Sequence, residues 1–207
     1  MPNWVFNKIR FYGEPKEIEK LKAFVNTEET TFDFNKIVPM PEELNLDHGS
    51  TEVISTNCAL ARRKGLNTCA DLNAPWTSRM TFDEWADLGE KYLSNLDKYG
   101  STTWYDWCCR NWGTKWNANE PIWHGDNFVS FNTAWSAPIE IYQKLTELFP
   151  DVAFEAEYAD EDLGNNCGTI SWSQEESFVW NSIDEFDFAC EVWGYDGDEM
   201  RKEYEDE

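Results

Sequence analysis

Trp4–Tyr12 (WVFNKIRFY) alternates: Val5, Asn7, Ile9 and Phe11 fall on one side, Phe6, Lys8, Arg10 and Tyr12 on the other. That period of two predicts a strand. Gly13, Glu14 and Pro15 break it, and Pro15 suits a first helical turn, with Ile18, Leu21, Lys22 and Val25 following at helical spacing. Thr31–Val38 (TFDFNKIV) alternates again before Pro39 and Pro41, which predicts a second strand. The order returns later in the chain. Asn127–Trp135 reads as a strand, and Ala137 with Pro138 opens a helix whose stripe is Ile139, Tyr142, Leu145 and Leu148/Phe149. Pro150 stops that helix, and Val152–Tyr158 alternates with Glu155 and Glu157 on one face. Two β-α-β units without a GxGxxG or GxxxxGK[ST] turn predict an α+β, ferredoxin-like split βαβ sandwich. A Rossmann or P-loop sheet, which needs such glycine-rich turns, is the weaker reading.

Between the units a large helical insertion is expected at about residues 41–126. Its clearest helix is Thr81–Tyr99: Thr81 and Glu84 make a capping box, Phe82, Trp85, Leu88 and Tyr92 the stripe, and Gly100 the end. A second helix is predicted over Thr103–Trp112, stopping at Gly113. After the acidic turn Asp160–Asn166 (DEDLGNN), Gly168–Ser173 reads as a hairpin return and Val179 with Trp180 as an edge strand. Ser182 and Glu185 suggest a capping box for a final helix, Ile183–Trp193, closed by Gly194. The expectation is one domain over residues 1–196 and an acidic, fraying tail over 197–207.

Charge narrows the function. The chain has 207 residues, with 40 Asp and Glu against 17 Lys and Arg, a net charge of −23. Residues 151–207 alone hold 19 acidic and 2 basic side chains. Direct nucleic-acid binding through a basic face is disfavoured, as is an anionic membrane surface. The 12 Trp, 13 Phe and 8 Tyr supply ample core area. No apolar run approaches the roughly 18 residues a bilayer span needs, and Met1–Gly13 lacks a signal-peptide core, so a cytoplasmic chain is expected. The basic run Arg62, Arg63, Lys64 reads as a solvated loop or a partner for the acidic end.

Chemistry is harder to find. The six cysteines form no CxxC pair and read as small buried hydrophobes; no metal or cofactor is expected. DEDLGNN fails the calcium-loop pattern, because Gly164 follows Asp162 too soon and no Glu closes it. No nucleophile or metalloprotease motif occurs, so a non-enzymatic role is favoured. Two candidate sites remain. Glu155, Glu157, Asp160, Glu161 and Asp162, with the carboxylates after Asp184, would form an extended negative surface able to steer a basic partner, although solubility alone also explains net negative charge. In the tryptophan-rich segment, Asn111, Trp112, Lys115, Trp116, Trp123 and His124 would line a pocket for a nucleotide or other planar ligand. The competing reading of those rings is core packing.

MPNWVFNKIRFYG at the start, FDFNKIVPMPEEL (Phe32–Leu44), NWGTKWNA (Asn111–Ala118), FNTAWSAP (Phe131–Pro138) and FACEVWGYD (Phe188–Asp196) resemble the YubB-type ferredoxin-like proteins of bacteriophages and conjugative plasmids. The resemblance runs nearly the full length. It implies a ferredoxin-like core and a mobile-element origin, with no established reaction. Phe6 and the heavily acidic DEDLGNN turn depart from the family pattern. Small acidic proteins of such elements often bind host nucleic-acid-handling defence complexes. Together with the acidic excess of residues 151–207, the resemblance leads to the expectation of an inhibitor or modulator that occupies a basic channel of a host protein by nucleic-acid mimicry.

Overall fold

The structure is a computed structural model that describes residues 3–205. The chain divides into two compact units: Met1–Pro39 with Cys109–Glu207, and Met40–Cys108.

The first unit is built on a six-stranded antiparallel sheet, β1 (Trp4–Tyr12), β2 (Asn119–Trp123), β3 (Phe128–Ala134), β4 (Ala153–Asp160), β5 (Cys167–Ser173) and β6 (Ser177–Ser182). Its spatial order is β2-β3-β1-β4-β5-β6. β1 lies between β3 and β4, antiparallel to both, so the chain crosses over from β3 to β4. α6 (Ile139–Leu148) makes that connection. In the same way β3 separates β1 from β2. Two split βαβ units result, the ferredoxin-like arrangement.

The alternation in β1 does what the sequence predicts. Val5, Asn7, Ile9 and Phe11 are buried, and on that side Tyr142 of α6 reaches Asn7. The helix α1 (Pro15–Val25) buries Ile18, Leu21 and Val25, as its spacing requires. Phe6, on the opposite side, stacks on Trp193 of α7 (Phe186–Trp193) at 5.1 Å. A second cluster forms there from Ala159, Leu163, Cys167, Ala189, Cys190 and Val192. The apolar residue at position 6 is thus explained by the helix that covers it.

Three expectations change. Thr31–Val38 is no strand: Asp33 accepts a hydrogen bond from the Asn35 amide and caps a short helix, α2 (Phe34–Ile37). Phe32, Phe34 and Ile37 are still buried, so the same apolar positions serve a turn and helix. The missing strand of the first βαβ unit is β2, inside the segment read as a helical insertion. Residues 197–205 form a helix, α8 (Gly197–Glu205), because Asp196 Oδ1 accepts from the amides of Asp198 and Glu199; Asp206 and Glu207 lie outside the described residues.

The second unit is helical, with α3 (Ser50–Arg63) packed on α4 (Phe82–Tyr99) and α5 (Trp104–Asn111) beginning at its end. Thr81 and Glu84 form the predicted capping box, and Gly100 closes α4 at φ 69°. Gly89 sets how closely the helices approach, since a Cβ there would fall 1.9 Å from the Ser55 carbonyl oxygen. The basic run is spent locally: Arg62 pairs with Asp87 at 2.6 Å and Arg63 with Glu90 at 2.5 Å, both on α4. Arg62 and Arg63 thus belong to the last turn of α3, where a solvated loop was expected.

Candidate functional site

The acidic residues singled out by sequence serve three different ends. Asp160 is 5% exposed. Its carboxylate accepts from Asn3 Nδ2 at 3.3 Å, the Asp162 amide at 3.0 Å and Asn166 Nδ2 at 2.9 Å. Those bonds staple the β4–β5 turn, so Asp160 is structural. Glu155 and Glu157 are exposed on β4, but the sheet register sets them opposite Arg10 and Lys8. Tyr12 donates to Glu155 at 2.9 Å, and burial, then this bond, raises the Tyr12 pKa. The Glu155–Glu157 pair therefore belongs to a mixed-charge face.

Glu161 and Asp162 are exposed at the turn and lie with a larger group of carboxylates, those that follow Asp184 among them. The turn lies against the start of α7, where a Cβ on Gly164 would come 3.3 Å from the Phe186 backbone. Asp184, Glu185, Asp187 and Glu191 on or beside α7 are exposed, as are Asp196, Asp198 and Glu199 leading into α8. Arg201 engages this group, bonding Asp187 and lying 3.8 Å from Asp198. Asp184 accepts from Ser182 Oγ at 2.6 Å and the Cys167 amide at 3.2 Å. The Ser182 bond first, then the Cys167 amide, holds its carboxyl below the usual range. Ser182 therefore ends β6 and binds Asp184, and the expected capping box to Glu185 does not form.

The tryptophan segment separates into core and surface. Trp107 and Trp112 are buried, and Trp112 Nε1 donates to the Val38 carbonyl at 2.9 Å. Asn111 ends α5. Trp123 stacks on Phe11 and donates to the Thr31 carbonyl at 3.0 Å. His124 contacts Ser130 Oγ at 2.7 Å. Trp123 pairs with Val129 at the beginning of β3, whereas Lys115 and Trp116 gather at its other end. Seven residues of strand, roughly 20 Å, separate the two groups. The six residues do not form one pocket.

At the far end of β3 the Lys115 ammonium lies 4.4 Å from the Trp116 ring and 4.6 Å from the ring of Trp135. Trp4 packs on Trp116 at 6.0 Å. Trp135 was not singled out by sequence. Its φ is 72°, a left-handed conformation that bulky side chains rarely adopt, and its ring is 43% exposed. The conformation is held from several sides. Its amide donates to the Asn3 carbonyl at 2.9 Å, and its carbonyl accepts from Asn166 Nδ2 at 2.9 Å. Thr133 Oγ1 donates to the Ser136 carbonyl at 2.8 Å, and Thr114 Oγ1 to the Ala134 carbonyl at 2.8 Å. Beneath the turn, Tyr142 donates to Asn7 Oδ1 at 2.8 Å and Asn7 Nδ2 donates to Thr133 Oγ1 at 2.9 Å. Tyr142 is fully buried, and that burial raises its pKa well above the ordinary value. Backbone strain of about 1–3 kcal/mol persists only where surroundings over-determine it, and these bonds do so.

Beside this turn lies a cleft of about 310 Å³ lined by Gly113, Ser136, Glu140, Tyr158, Asn166 and Trp180, among others. Trp180 Nε1 donates to the Tyr158 hydroxyl at 2.8 Å. A larger cavity, about 660 Å³, lies by Gly13, Glu19, Lys22 and Asn127. Among the described residues no group of three or more His, Cys, Asp or Glu is placed to hold a metal ion. Nor, among those residues, is any helix long and apolar enough to cross a membrane.

Residues 111–205 match the family model described as the ferredoxin-like domain in Api92-like protein. The match covers β2 to β6 with α6 and α7, and it agrees with the α+β, ferredoxin-like class of the sheet. A crystal structure of a protein api92 from Yersinia pseudotuberculosis is similar with a TM-score of 0.45 and 11% identity, over 88% of this chain and 99% of that one. No curated protein matches the chain.

Proposed function

We propose that this chain is a non-enzymatic binding protein whose acidic surface around α7 docks on a basic partner, a host protein that ordinarily grips nucleic acid. The supporting observation is the grouping of exposed carboxylates from the β4–β5 turn, α7 and the start of α8, against which Arg201 supplies local positive charge. Duplex DNA presents one charge per roughly 1.7 Å of axis, and a carboxylate-dense helix can offer a comparable field to a channel built for phosphates. Such a field accelerates encounter and makes the complex salt-sensitive. The resemblance to YubB-type proteins of mobile elements adds inhibition of a host defence protein as the outcome of docking. Relative to the sequence reading, this proposal leaves out Glu155, Glu157 and Asp160 and keeps Glu161, Asp162 and the carboxylates after Asp184. The test is retention of host proteins on the immobilised chain at low salt, followed by challenge with duplex DNA. A nucleic-acid-processing protein should be retained by the native chain, released by the competitor, and lost when Glu161, Asp162, Glu185 and Glu191 are changed to Lys. Retention that survives those four changes, or no such protein retained, overturns the reading.

A second reading has one specific observation behind it, the over-determined and exposed Trp135 beside Lys115 and Trp116. Two indoles with an ammonium group suit a planar anionic ligand such as a nucleotide. A thermal-shift screen of nucleotides tests it, because a bound ligand raises stability by mass action.

A further inference from the structure

The second unit contains a contact that no cysteine motif announces. Cys58 is buried on α3, and Cys69 precedes the 3₁₀ turn Ala70–Asn73. The two sulfurs lie 2.7 Å apart across an eleven-residue separation. That approach is already close to a disulfide bond length of about 2.05 Å. Both cysteines sit in one apolar cluster: Ile54, Trp85 and Ala86 pack with Cys58, and Leu72, Met80 and Phe82 pack around it with Cys69. Asn57, next to Cys58, donates to Asp71 at 2.8 Å and holds the same two segments together. The remaining thiols differ in placement. Cys108 meets the Met40 thioether, Cys109 is exposed, and Cys167 and Cys190 are buried in the other unit.

We propose that Cys58 and Cys69 are an oxidisable pair, and that a peroxide converts them to a reversible disulfide tying α3 to the segment beginning at Cys69. Cys69 is the partly exposed sulfur and meets the oxidant. Its sulfur gives up the thiol proton and attacks one peroxide oxygen; the O–O bond breaks, the leaving hydroxide takes that proton and departs as water, and a sulfenic acid remains on Cys69. The Cys58 sulfur then attacks that sulfenic sulfur; the S–S bond forms, the S–O bond breaks, and the hydroxyl departs as water with the Cys58 proton. Two thiols are oxidised by two electrons in total, and one peroxide is reduced to two waters. The order of attack follows from burial, which is the main cause pushing the Cys58 thiol up to about 12, with the Cys69 hydrogen bond second. The buried sulfur is shielded from the oxidant, so the first step belongs to the partly exposed one.

The loop so closed contains Arg62, Arg63 and Lys64, which makes the bond easy to detect. The fully reduced native chain is treated with one equivalent of hydrogen peroxide, alkylated, nicked with trypsin and run on denaturing gels with and without reductant. The expected result is loss of two of the six thiols and a chain nicked after Lys64 that stays in one piece until reduced. Tandem mass spectra should show the peptides of Cys58 and Cys69 joined. Cys58→Ser should instead accumulate a sulfenic acid on Cys69 that dimedone traps, a readout independent of the gel. Six titratable thiols after peroxide, or a disulfide joining other cysteines, overturns the proposal.

Discussion

The two ends of β3 carry the same chemical pair in different settings. At the beginning of the strand Trp123 lies 4.8 Å from the Lys22 ammonium; past its end Trp135 lies 4.6 Å from that of Lys115. Trp123 is half-buried, its indole N–H is satisfied by Thr31, and its ring stacks on Phe11. Packing accounts for it fully. Trp135 presents its ring outward from a backbone held at φ 72°. A residue 43% exposed, in a conformation glycine or asparagine would adopt more easily, carries a backbone cost that its partial burial must offset. Identical residue pairs can thus be core at one end of a strand and a display at the other.

The sharpest test of that contrast is at the packed end. Trp123→Ala removes a stacked ring and the bond to Thr31, and an expected loss of about 3 kcal/mol follows from comparable core truncations. Urea unfolding followed by far-UV circular dichroism measures it. A loss no larger than that of Trp135→Asn would erase the distinction between the ends.

Next in size is the network under the strained turn. Tyr142→Phe removes the donor to Asn7 Oδ1 while leaving that acceptor fully buried. The expected cost is about 1–3 kcal/mol, the penalty of an unsatisfied buried group. Because Asn7 also bonds Thr133, whose hydroxyl holds the Ser136 carbonyl, hydrogen exchange should quicken at 133–136 and stay unchanged at Trp123. Equal changes at both ends would contradict the separation drawn between them.

Trp135→Asn should cost under about 1 kcal/mol although it deletes an entire indole. Relief of about 1–3 kcal/mol of backbone strain offsets the packing of the half of the ring that is covered. Asparagine tolerates positive φ without glycine's added unfolded-state entropy, so the comparison is clean. The same variant should abolish any thermal shift by nucleotides, which separates display from mere tolerance.

These contrasts also explain what could be read from the chain beforehand. β1, α1, α4, α6 and β4 were legible because each repeats its apolar position over two or more turns or pleats, as in Ile18, Leu21 and Val25 of α1. β2 was not. It is an edge strand containing Pro121, with Glu120 at φ 51° and a register shift between Asn119 and Ile122. Edge strands tolerate proline and bulges, and both erase the alternating pattern. Thr31–Val38 failed in the opposite way, since FDF alternates by chance while Asp33 caps a helix. For the candidate site, Lys115 and Trp116 were legible as residue types but not as neighbours of Trp135, which only the β3 turn brings to them. A left-handed tryptophan has no sequence signature. The acidic excess was visible as charge, whereas the cross-strand register that sets Glu155 and Glu157 opposite Arg10 and Lys8 was not.

The smallest expected effect links pH to one end of β3 alone. Asp184 accepts from Ser182 and the Cys167 amide, and its pKa lies below the ordinary carboxylate value, which is about 3.9. A native pKa below the unfolded one adds stability that is present above the unfolded value and is lost as pH falls through the native one. Asp184 sits beside Asn166, a weaker contributor to its lowered pKa, and Asn166 Nδ2 anchors the Trp135 carbonyl. Protonation of Asp184 should therefore loosen that anchor. In a proton–nitrogen NMR titration from neutral pH downward, the Trp135 indole resonance should move below about pH 4. The Trp123 resonance should hold still through the same range, its partner being the Thr31 carbonyl, which does not titrate. Asp184→Asn should flatten the Trp135 response while leaving the repulsion among the other carboxylates in place. Movement of both indoles together, or an unchanged Trp135 titration in the variant, would mean that the bonds to Asp184 do not govern the turn.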